Sequence, residues 1–334
     1  MTGGVYVGVD GGKSTVRLRV GGGAEHPDVL RDGVTHGDGD TYATLVATIS
    51  DAWNEARSSL PDEARIERIA LGLTTLPSAA PQRAALAQTI GETLGAAEVW
   101  LMGDAIIGHA AAFADRSGVA LIVGTGIACL AVDAATGTSL RVDGDGFLLG
   151  DNGSAFWIGS RGLAAVLAAS DGRGPHTALT ASSEVLYGEH ADLASHVHSI
   201  PRPVNAVAAF AEQVQLAAGA GDEVASAIVR GAAAELMKTA LAAANIFDGS
   251  PVPLAITGRA VSAGTPLRTA FLESIAAEPR LAPVTTTSAP VEGALAIAES
   301  GLITPYGSYI TEWSDQVTPT DDSATTIADW RIHS

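Results

Sequence analysis

An acidic residue, two glycines, a lysine and two hydroxyl residues follow one another near the beginning of the chain, between two apolar runs. They are Asp10, Gly11, Gly12, Lys13, Ser14 and Thr15. A carboxylate at a strand end suits a metal ion, and a tight glycine turn with hydroxyl groups suits a phosphate. The pattern therefore indicates a site for a nucleotide phosphate and its metal, although a glycine-rich β-turn that binds nothing has the same composition.

The end of this segment, residues 12–14, resembles a P-loop, but two features argue against that motif. A P-loop needs a glycine five residues before Gly12, where this chain has Val7, and a helix after the serine. Instead, apolar residues alternate with arginines from Val16 to Val20, which is the period of a strand. We therefore predict a β-hairpin across the turn.

A second segment, Val119 to Val132, repeats this plan. An apolar strand is followed by a glycine turn with a hydroxyl, Gly124, Thr125 and Gly126, and then by another apolar strand. Two copies of a strand, turn and strand unit predict two similar α/β domains that face one another. A cleft between them would receive phosphate from both turns.

Hydrophobic periodicity places strands and helices alternately along much of the chain, as in α/β proteins. Besides the two hairpins, strands are predicted at 66–73, 98–102 and 252–257. Helices are predicted at 42–60, 81–94, 105–114, 154–169, 204–218, 222–246 and 291–300. Residues 306–334 are rich in Thr, Asp and Ser, and are predicted to form a polar tail.

Asp104 stands between the predicted strand at 98–102 and the helix that begins at Ala105. Aspartate is a common N-cap, and this role alone explains the residue. The carboxyl end of a strand in an α/β sheet is also where ligands bind. There, Asp104 would accept the proton of a substrate hydroxyl whose oxygen attacks a γ-phosphate. The sequence leaves both interpretations open.

Two further glycine-containing segments are candidates for ligand contacts. The loop Gly144–Ser154 precedes an amphipathic helix, and Asp151 and Asn152 within it can bond ligand hydroxyls, while Ser154 can cap the helix. Gly258 follows an apolar strand and would let an adenine approach bare backbone. A structural turn explains either segment equally simply.

The composition restricts the function further. The chain has 334 residues and is 47% hydrophobic, which is enough for two domains with their own cores. Its formal net charge of −18 argues against nucleic acid and anionic membranes as partners, because both are bound by basic surfaces. No apolar run has the length of a membrane span, and no signal peptide is evident, so we expect a soluble cytoplasmic protein.

Cysteine and histidine offer little for a metal centre. Cys129 is the only cysteine, which excludes disulfides within the chain, cysteine-rich zinc sites and an iron–sulfur cluster held by one chain. His190, His196 and His198 lie close together in sequence but lack a partnered carboxylate pattern. We interpret them as ordinary surface or core-edge histidines.

Taken in order, six short motifs resemble the N-acetylglucosamine kinase branch of the BadF/BadG/BcrA/BcrD-type ATPases, a group within the actin-like, sugar-kinase and Hsp70 superfamily. The resemblance runs from about residue 5 to 300. The motifs are Asp10–Thr15, Gly103-Asp104-Ala105, Gly124-Thr125-Gly126, Leu149–Ile158, Thr257-Gly258 and Glu292-Gly293-Ala294. Each motif is short, and their order and spacing together make the match specific.

The resemblance implies an α/β fold of two ribonuclease H-like (actin-like ATPase) lobes, with ATP and Mg²⁺ in an interdomain cleft. It implies an N-terminal lobe of residues 1–115 plus about 290–305, a C-terminal lobe of 116–289, and the tail. Asp10 would position the metal through water, and Gly11 to Thr15 and Gly124 to Gly126 would cradle phosphates. Asp104 matches the catalytic base and Gly258 the adenosine pocket. The residues matched to sugar contacts are His36, Thr75, Asp104, Thr125, Asp145 and Asp151.

Three departures from the family pattern concern the substrate. Ile127 replaces a serine of the second phosphate motif, Asp145 replaces a tryptophan of the sugar loop, and Asn152 replaces a glutamate. A carboxylate in place of an aromatic ring disfavours a stacked acetamido group and favours a cationic amine. Glucosamine therefore stands beside N-acetylglucosamine as a candidate substrate.

Three functions follow from the resemblance. The first is an ATP-dependent kinase that phosphorylates a hydroxyl, O6, of a small-molecule amino sugar, and relatives imply a homodimer. The second is an ATPase that drives electron transfer, which needs cluster-binding cysteines that this chain lacks. The third is a sugar-sensing protein of the same fold with impaired catalysis, to which the changes at Ile127 and Asp145 would contribute.

Overall fold

The computed structural model describes residues 4–12, 15–21, 26–34, 41–113, 117–188, 192–201, 203–249, 251–286, 288–301 and 303–316. The strands are β1 (Gly4–Gly11), β2 (Thr15–Gly21), β3 (Val29–Asp32), β4 (Arg65–Leu73), β5 (Glu98–Gly103), β6 (Gly118–Val123), β7 (Ile127–Asp133), β8 (Thr138–Arg141), β9 (Val252–Thr257), β10 (Leu281–Val284) and β11 (Thr311–Ser314). The α-helices are α1 (Thr41–Arg57), α2 (Ala80–Leu94), α3 (Asp104–Phe113), α4 (Ala155–Ser170), α5 (Leu179–Tyr187), α6 (Leu193–Ser199), α7 (Pro203–Ala209), α8 (Ala211–Gly219), α9 (Glu223–Ala243), α10 (Pro266–Ala276) and α11 (Pro290–Ser300).

The first sheet has the strand order β11-β5-β4-β1-β2-β3. Strand β1 forms the predicted antiparallel hairpin with β2 and pairs in parallel with β4, which pairs in parallel with β5. Because the carboxyl ends of parallel strands meet at one edge of a sheet, the residues that follow β1, β4 and β5 are brought together.

The second sheet has the order β10-β9-β6-β7-β8 and repeats this arrangement. Strands β6 and β7 form an antiparallel hairpin, and β6 pairs in parallel with β9, which pairs in parallel with β10. The α/β class and the two hairpins predicted from the sequence are confirmed. We call each sheet with the helices on its outer face a lobe.

Apolar side chains arrange the helices in layers around the two sheets, since removing them from water is the main force that drives packing. Helices α1 and α2 bury Ile49 and Ile90 on the outer face of the first sheet. Helices α4, α8, α9 and α10 cover the outer face of the second sheet. Helices α3 and α11 lie between the sheets, where Ile107 shares a cluster with Met102 of β5 and Leu130 of β7.

The two central helices cross at Gly293. A Cβ at this position would collide with the backbone of α3 at Ile107 and Ala111, so only glycine permits the close approach. Helix α3 begins at Asp104, directly after β5. The packing of α3 and α11 therefore helps to fix the direction in which Asp104 leaves the sheet.

The expectation of a polar tail is wrong for residues 306–316. Tyr306 is buried, and β11 pairs antiparallel with β5, with Trp313 opposite Val99. Backbone hydrogen bonding to the free edge of β5 explains why a polar segment joins the sheet, because strand pairing requires no apolar pattern. Residues 317–334 lie outside the described part of the chain.

Within the part of the chain that the structure describes, no helix combines the length and the apolar character that a bilayer crossing requires.

Candidate active site

Asp10, Thr74 and Asp104 meet at the carboxyl edge of the first sheet. Gly72 lies beside Asp10, and Leu73 lies beside Gly103. The backbone N–H of Thr74 donates to the carbonyl oxygen of Gly11 at 3.1 Å, and its hydroxyl donates to Oδ2 of Asp104 at 2.9 Å. Thr74 thus links the first glycine turn to the predicted base.

Asp10 is an unusual carboxylate, because burial raises its pKa to about 6. The nearby negative charge of Asp104 contributes to this increase, and the positive charge of Arg17, which lies opposite Asp10 on β2, opposes it. Because β4 pairs with both β1 and β5, Asp10 and Asp104 lie near one another at this sheet edge. A cation bound there would offset both charges.

The donor set fits Mg²⁺ better than a metal held entirely by protein. Among the described residues, no cluster of three or more His, Cys, Asp or Glu side chains could hold a metal ion. Magnesium ions are usually held by one or two carboxylates together with waters and substrate phosphates. Asp10, at the end of β1 and beside a glycine turn, provides such a carboxylate.

Asp104 is the first residue of α3, so both roles suggested by the sequence can be compared. Its carboxylate accepts the hydroxyl of Thr74, and no backbone N–H of the described helix residues donates to its side chain. The half-buried carboxylate therefore does not act as a side-chain cap of α3. This geometry favours the base over the cap.

The second glycine turn is held from behind by α4. The backbone N–H groups of Ala155 and Phe156 donate to the carbonyl oxygens of Gly124 and Thr125 at 3.0 and 3.1 Å. Across the turn, the N–H of Gly124 donates to the carbonyl oxygen of Gly126 at 2.9 Å. With both carbonyls bonded to the first turn of a helix, the shape of this turn is set before any ligand arrives.

Asp151 also supports this turn. Its Oδ1 accepts the backbone N–H of Ile127 at 3.1 Å, and its side chain lies against Gly126. Asp151 is buried, has a left-handed backbone with φ of 58°, and has a raised pKa, chiefly because of burial. Asp151, which was predicted to contact a sugar, therefore bonds the backbone at the start of β7 and holds it in place.

Asp143 organises the loop that was predicted to contact a sugar. Its Oδ1 accepts the backbone N–H groups of Asp151 at 2.7 Å and Gly144 at 2.8 Å, and its Oδ2 accepts the hydroxyl of Thr239 at 3.3 Å. Ser154 caps α4 as predicted, since its Oγ accepts the N–H of Trp157. Sequence reasoning missed Asp143, because only the folded loop brings its partners together.

A cavity of about 240 Å³ opens beside this loop. Aromatic, polar and charged groups line it, including Phe147, Asp151, Asn152, Trp157 and Arg161. Leu148 and Leu149 at the tip of the loop are 81% and 87% exposed. Adjacent apolar side chains in open solvent can mark an interaction surface, so we treat this cavity as a candidate ligand site.

Gly258 follows β9, next to the strand that leads into the second turn. Its φ is 108°, and a Cβ there would collide with the backbone of Val123. No other residue fits this conformation and spacing without displacing β6. Val123 immediately precedes Gly124, so the predicted adenosine contact lies beside the predicted phosphate turn.

A comparison with known protein families decides the relationship. The family model of the BadF/BadG/BcrA/BcrD ATPase family matches residues 7–298. The chain belongs to this ATPase family. The match includes both glycine turns, Asp104 and Gly258.

Three relatives extend this finding. An N-acetylmuramic acid/N-acetylglucosamine kinase from Clostridium acetobutylicum is 29% identical over 155 residues, which is 45% of this chain and half the length of that relative. A candidate N-acetylglucosamine kinase from Chromobacterium violaceum superimposes with a TM-score of 0.67 at 23% identity, over 89% of this chain and all of the other. A ROK family glucokinase from Streptomyces griseus, in complex with glucose and AMPPNP, gives a TM-score of 0.55 at 14% identity, over 89% and 100%. The predicted α/β fold of two actin-like ATPase lobes is thereby confirmed.

Several predicted site residues of this ATPase family member can be located only in part. Lys13, Ser14 and His36 lie outside the described residues. Gly12 and Thr15 close the first turn through a bond of 3.0 Å from the N–H of Gly12 to the carbonyl of Thr15. The roles of all these residues in binding stay predictions.

Two more of the residues predicted to contact a sugar, Thr75 and Asp145, lie within the described part of the chain. Thr75, adjacent to Thr74, is half-buried at the edge of the first sheet. Asp145 is exposed in the 143–154 loop and has no hydrogen-bond partner among the described residues. Their contacts with a sugar stay predictions.

His109 on α3 is a buried polar residue that sequence reasoning missed in this ATPase family member. Burial lowers its pKa to about 4, so the ring is neutral at physiological pH. Its Nε2 lies 3.1 Å from the carbonyl oxygen of Gly118, which can only accept, so Nε2 carries the proton. Its Nδ1 then accepts the hydroxyl of Tyr306 at 2.8 Å. His109 thus joins α3 to the start of β6 and to the C-terminal segment.

Proposed function

We propose that the chain is an ATP-dependent kinase that phosphorylates a hydroxyl, O6, of an amino sugar. The observation that carries this proposal is the position of Asp10 and Asp104 at one sheet edge, where Thr74 bonds both the Gly11 carbonyl and Asp104. One carboxylate suits the metal of a nucleotide, and the other, among the described residues, is bonded by neither a cationic side chain nor its own helix. Phosphoryl transfer to an alcohol needs both functions.

In this mechanism, Asp104 removes a proton. As the sugar oxygen forms a bond to the γ-phosphorus of ATP, the hydroxyl proton passes to the Asp104 carboxylate, and the bond from the γ-phosphorus to the bridging oxygen of ADP breaks. Asp10 would hold Mg²⁺ through water, and the ion would offset the charge of the phosphates. The glycine turns at 11–15 and 124–126 would donate backbone N–H groups to phosphate oxygens.

The known relatives support sugar as the substrate class. The Clostridium relative is a kinase of N-acetylmuramic acid and N-acetylglucosamine, although it matches this chain over only half its length. The Streptomyces glucokinase, with the same fold, was captured with glucose and an ATP analogue. We infer that this chain also binds a sugar together with ATP, and that it forms a homodimer.

The Asp145 carboxylate makes glucosamine a candidate substrate in addition to N-acetylglucosamine. Its carboxylate is exposed and accepts no hydrogen bond from another described residue, and Asp143 and Asp151 lie in the same loop. Three carboxylates beside a sugar site attract the ammonium group of glucosamine. The acetamido group of N-acetylglucosamine is uncharged and gains no such attraction. Both sugars therefore belong in the first assay.

A coupled assay of ADP release tests the proposal. The panel is glucosamine, N-acetylglucosamine, N-acetylmannosamine and glucose, and ³¹P and ¹³C NMR of the product identify the phosphorylated oxygen. We expect turnover with at least one of the two glucosamine sugars and a phosphate at O6. Nucleotide binding without sugar-dependent ADP release would contradict the kinase.

That negative result would favour a second function, a sugar- or nucleotide-sensing protein of the same fold. Ile127 supports this alternative, because a buried aliphatic side chain stands at the end of the second turn where the family has a hydroxyl. An electron-transfer activator is not supported. Cys129 is buried, with its pKa raised to about 12, and a protonated, inaccessible thiol is a poor cluster ligand.

A further inference from the structure

We propose that Thr74 is a positioning residue that holds the Asp104 carboxylate in its reactive orientation. This inference rests on the proposed kinase function and deepens it. Its basis is the chain of two hydrogen bonds that runs from the Gly11 carbonyl through Thr74 to Oδ2 of Asp104.

The backbone of Thr74 is fixed by the first glycine turn. Leu73 is the last residue of β4 and pairs with Gly11, and the Thr74 N–H continues the ladder by one bond to the Gly11 carbonyl. Threonine is also branched at Cβ, which leaves its hydroxyl few orientations. The position of the Thr74 hydroxyl is therefore determined by the same turn that is predicted to hold phosphate.

The bond makes the two oxygens of Asp104 inequivalent. Oδ2 accepts the Thr74 hydroxyl at 2.9 Å, whereas Oδ1 accepts no hydrogen bond from another described side chain. A carboxylate that is bonded through one oxygen cannot rotate freely about its Cβ–Cγ bond. Oδ1 is thus held ready to accept the proton of the sugar hydroxyl, and reaction rates depend steeply on such alignment.

The same bonds connect the phosphate turn to the base. The first turn contributes a carbonyl, Thr74 contributes both a donor N–H and a donor O–H, and Asp104 contributes an acceptor. Phosphate bound at the turn and hydroxyl bound at the base would thus be held in register by one residue. Thr74 touches neither reacting group in this arrangement, and it acts through Asp104.

The variants Thr74→Val and Thr74→Ser test this role. Valine keeps the shape without the donor, and serine keeps the donor. We expect kcat of the Val variant to fall about tenfold or more, with KM for sugar and ATP within about threefold, because misalignment affects the transition state more than binding. The Ser variant should recover most of the turnover. Thr93→Val, which removes a hydroxyl bonded only within α2, is the matched control.

A double variant separates positioning from general structure. If Thr74 acts only through Asp104, Thr74→Val should cause no further loss of turnover in an Asp104→Asn background. A full additional tenfold loss there would overturn the proposal, as would wild-type kcat in the single variant.

Crystal structures of the wild type and of Thr74→Val give a readout that needs no activity. We expect one Asp104 conformer, bonded to Thr74, in the wild type, and a rotated or divided carboxylate in the variant. An unchanged carboxylate in the variant would overturn the positioning role even if sugar turnover is absent. Absence of turnover in the wild type, with the expected crystallographic difference, would instead contradict the kinase proposal alone.

Discussion

In the first lobe, Asp10 and Asp104 lie beside a glycine turn, and the only side-chain hydrogen bond that either accepts from a described residue comes from Thr74 to Asp104. In the second lobe, Asp151 accepts a backbone N–H and lies against Gly126. The two turns have similar sequences, and both are followed by a strand. The carboxylates near the two turns differ in their partners. Asp10 and Asp104 keep acceptor capacity among the described residues, whereas Asp151 uses its carboxylate to support the second turn. The proposed function therefore assigns chemistry to the first motif, and the geometry of Asp151 assigns scaffolding to the second.

Replacing Asp104 by Asn should have the largest effect. The amide cannot accept the hydroxyl proton, and loss of a general base lowers turnover by about 100- to 10,000-fold. Nucleotide affinity should stay within a few-fold of the wild type. Steady-state kinetics and calorimetric titration with a nonhydrolysable ATP analogue measure the two quantities, and Asp171→Asn, at an exposed ion pair, is the control. Unchanged turnover would remove Asp104 as the base.

The pH dependence of nucleotide binding tests Asp10. With a pKa of about 6, Asp10 is neutral at low pH, so the affinity for a magnesium-bound nucleotide should fall about tenfold per unit below pH 6. Asp104→Asn removes a like charge and should move this midpoint down. Asp10→Asn should abolish the dependence, and titration calorimetry from pH 5 to 8 measures it. A flat profile in the wild type would contradict the Asp10 assignment.

The titration of Asp10 also makes the stability of the folded protein depend on pH. The Asp10 pKa is raised from 3.8 to about 6 in the folded protein, so the contribution to stability is fully present below pH 3.8 and is lost as the pH rises through 6. Asp10→Asn should therefore stabilise the ligand-free protein at pH 7. Thermal unfolding at pH 7 compares the two proteins.

Two glycines of the second turn provide a matched pair. A methyl group at Gly126 collides with the Asp151 carboxylate, whereas the nearest atom to a methyl at Gly124 is 4.0 Å away. We expect Gly126→Ala to lower the free energy of unfolding by about 1–3 kcal/mol, as overpacking does. Gly124→Ala should fold normally and bind nucleotide several-fold more weakly. Equal stability of the two variants would contradict the supporting role of Asp151.

Asp151 itself should show a smaller effect. Asp151→Ala leaves the Ile127 N–H without its acceptor, which costs about 1–2 kcal/mol of stability. Asp151→Asn keeps an acceptor and tolerates the left-handed backbone, so its unfolding free energy should stay near that of the wild type. Chemical denaturation measures both. A tenfold rise in sugar KM in a fully stable Asn variant would support the additional role of Asp151 as a sugar ligand.

The interior strands and both turns were predictable because long apolar runs carry a clear period. Every strand that the sequence did not reveal is an edge strand of four residues: β3, β8, β10 and β11. Four residues are too few to establish alternation, and an edge strand needs only backbone bonds on one side. The predicted helix at 204–218 is divided at Phe210, which keeps helical angles, so periodicity could not show the break.

Asp10 and Asp104 could be proposed as site residues from the sequence because a carboxylate at a strand end implies its chemistry, and their roles stay predictions. Thr74, Asp143 and His109 could not be proposed in this way, because their roles arise from partners far away in the sequence. Thr74 bonds a residue 30 positions later, and His109 bonds one 197 positions later. Nothing in a lone threonine or histidine indicates such a partner before the chain folds.

The place of α11 and β11 affects the order in which the protein can be built. Strand β1 is synthesised long before α11, which packs against it only after residue 300 has been added, and β5 gains its outer neighbour only with residues 311–314. The second sheet is complete by residue 284. During synthesis the first sheet is therefore begun before the second sheet and completed after it, and its edge at β5 stays open to chaperones or to mispairing until residues 311–314 have been added.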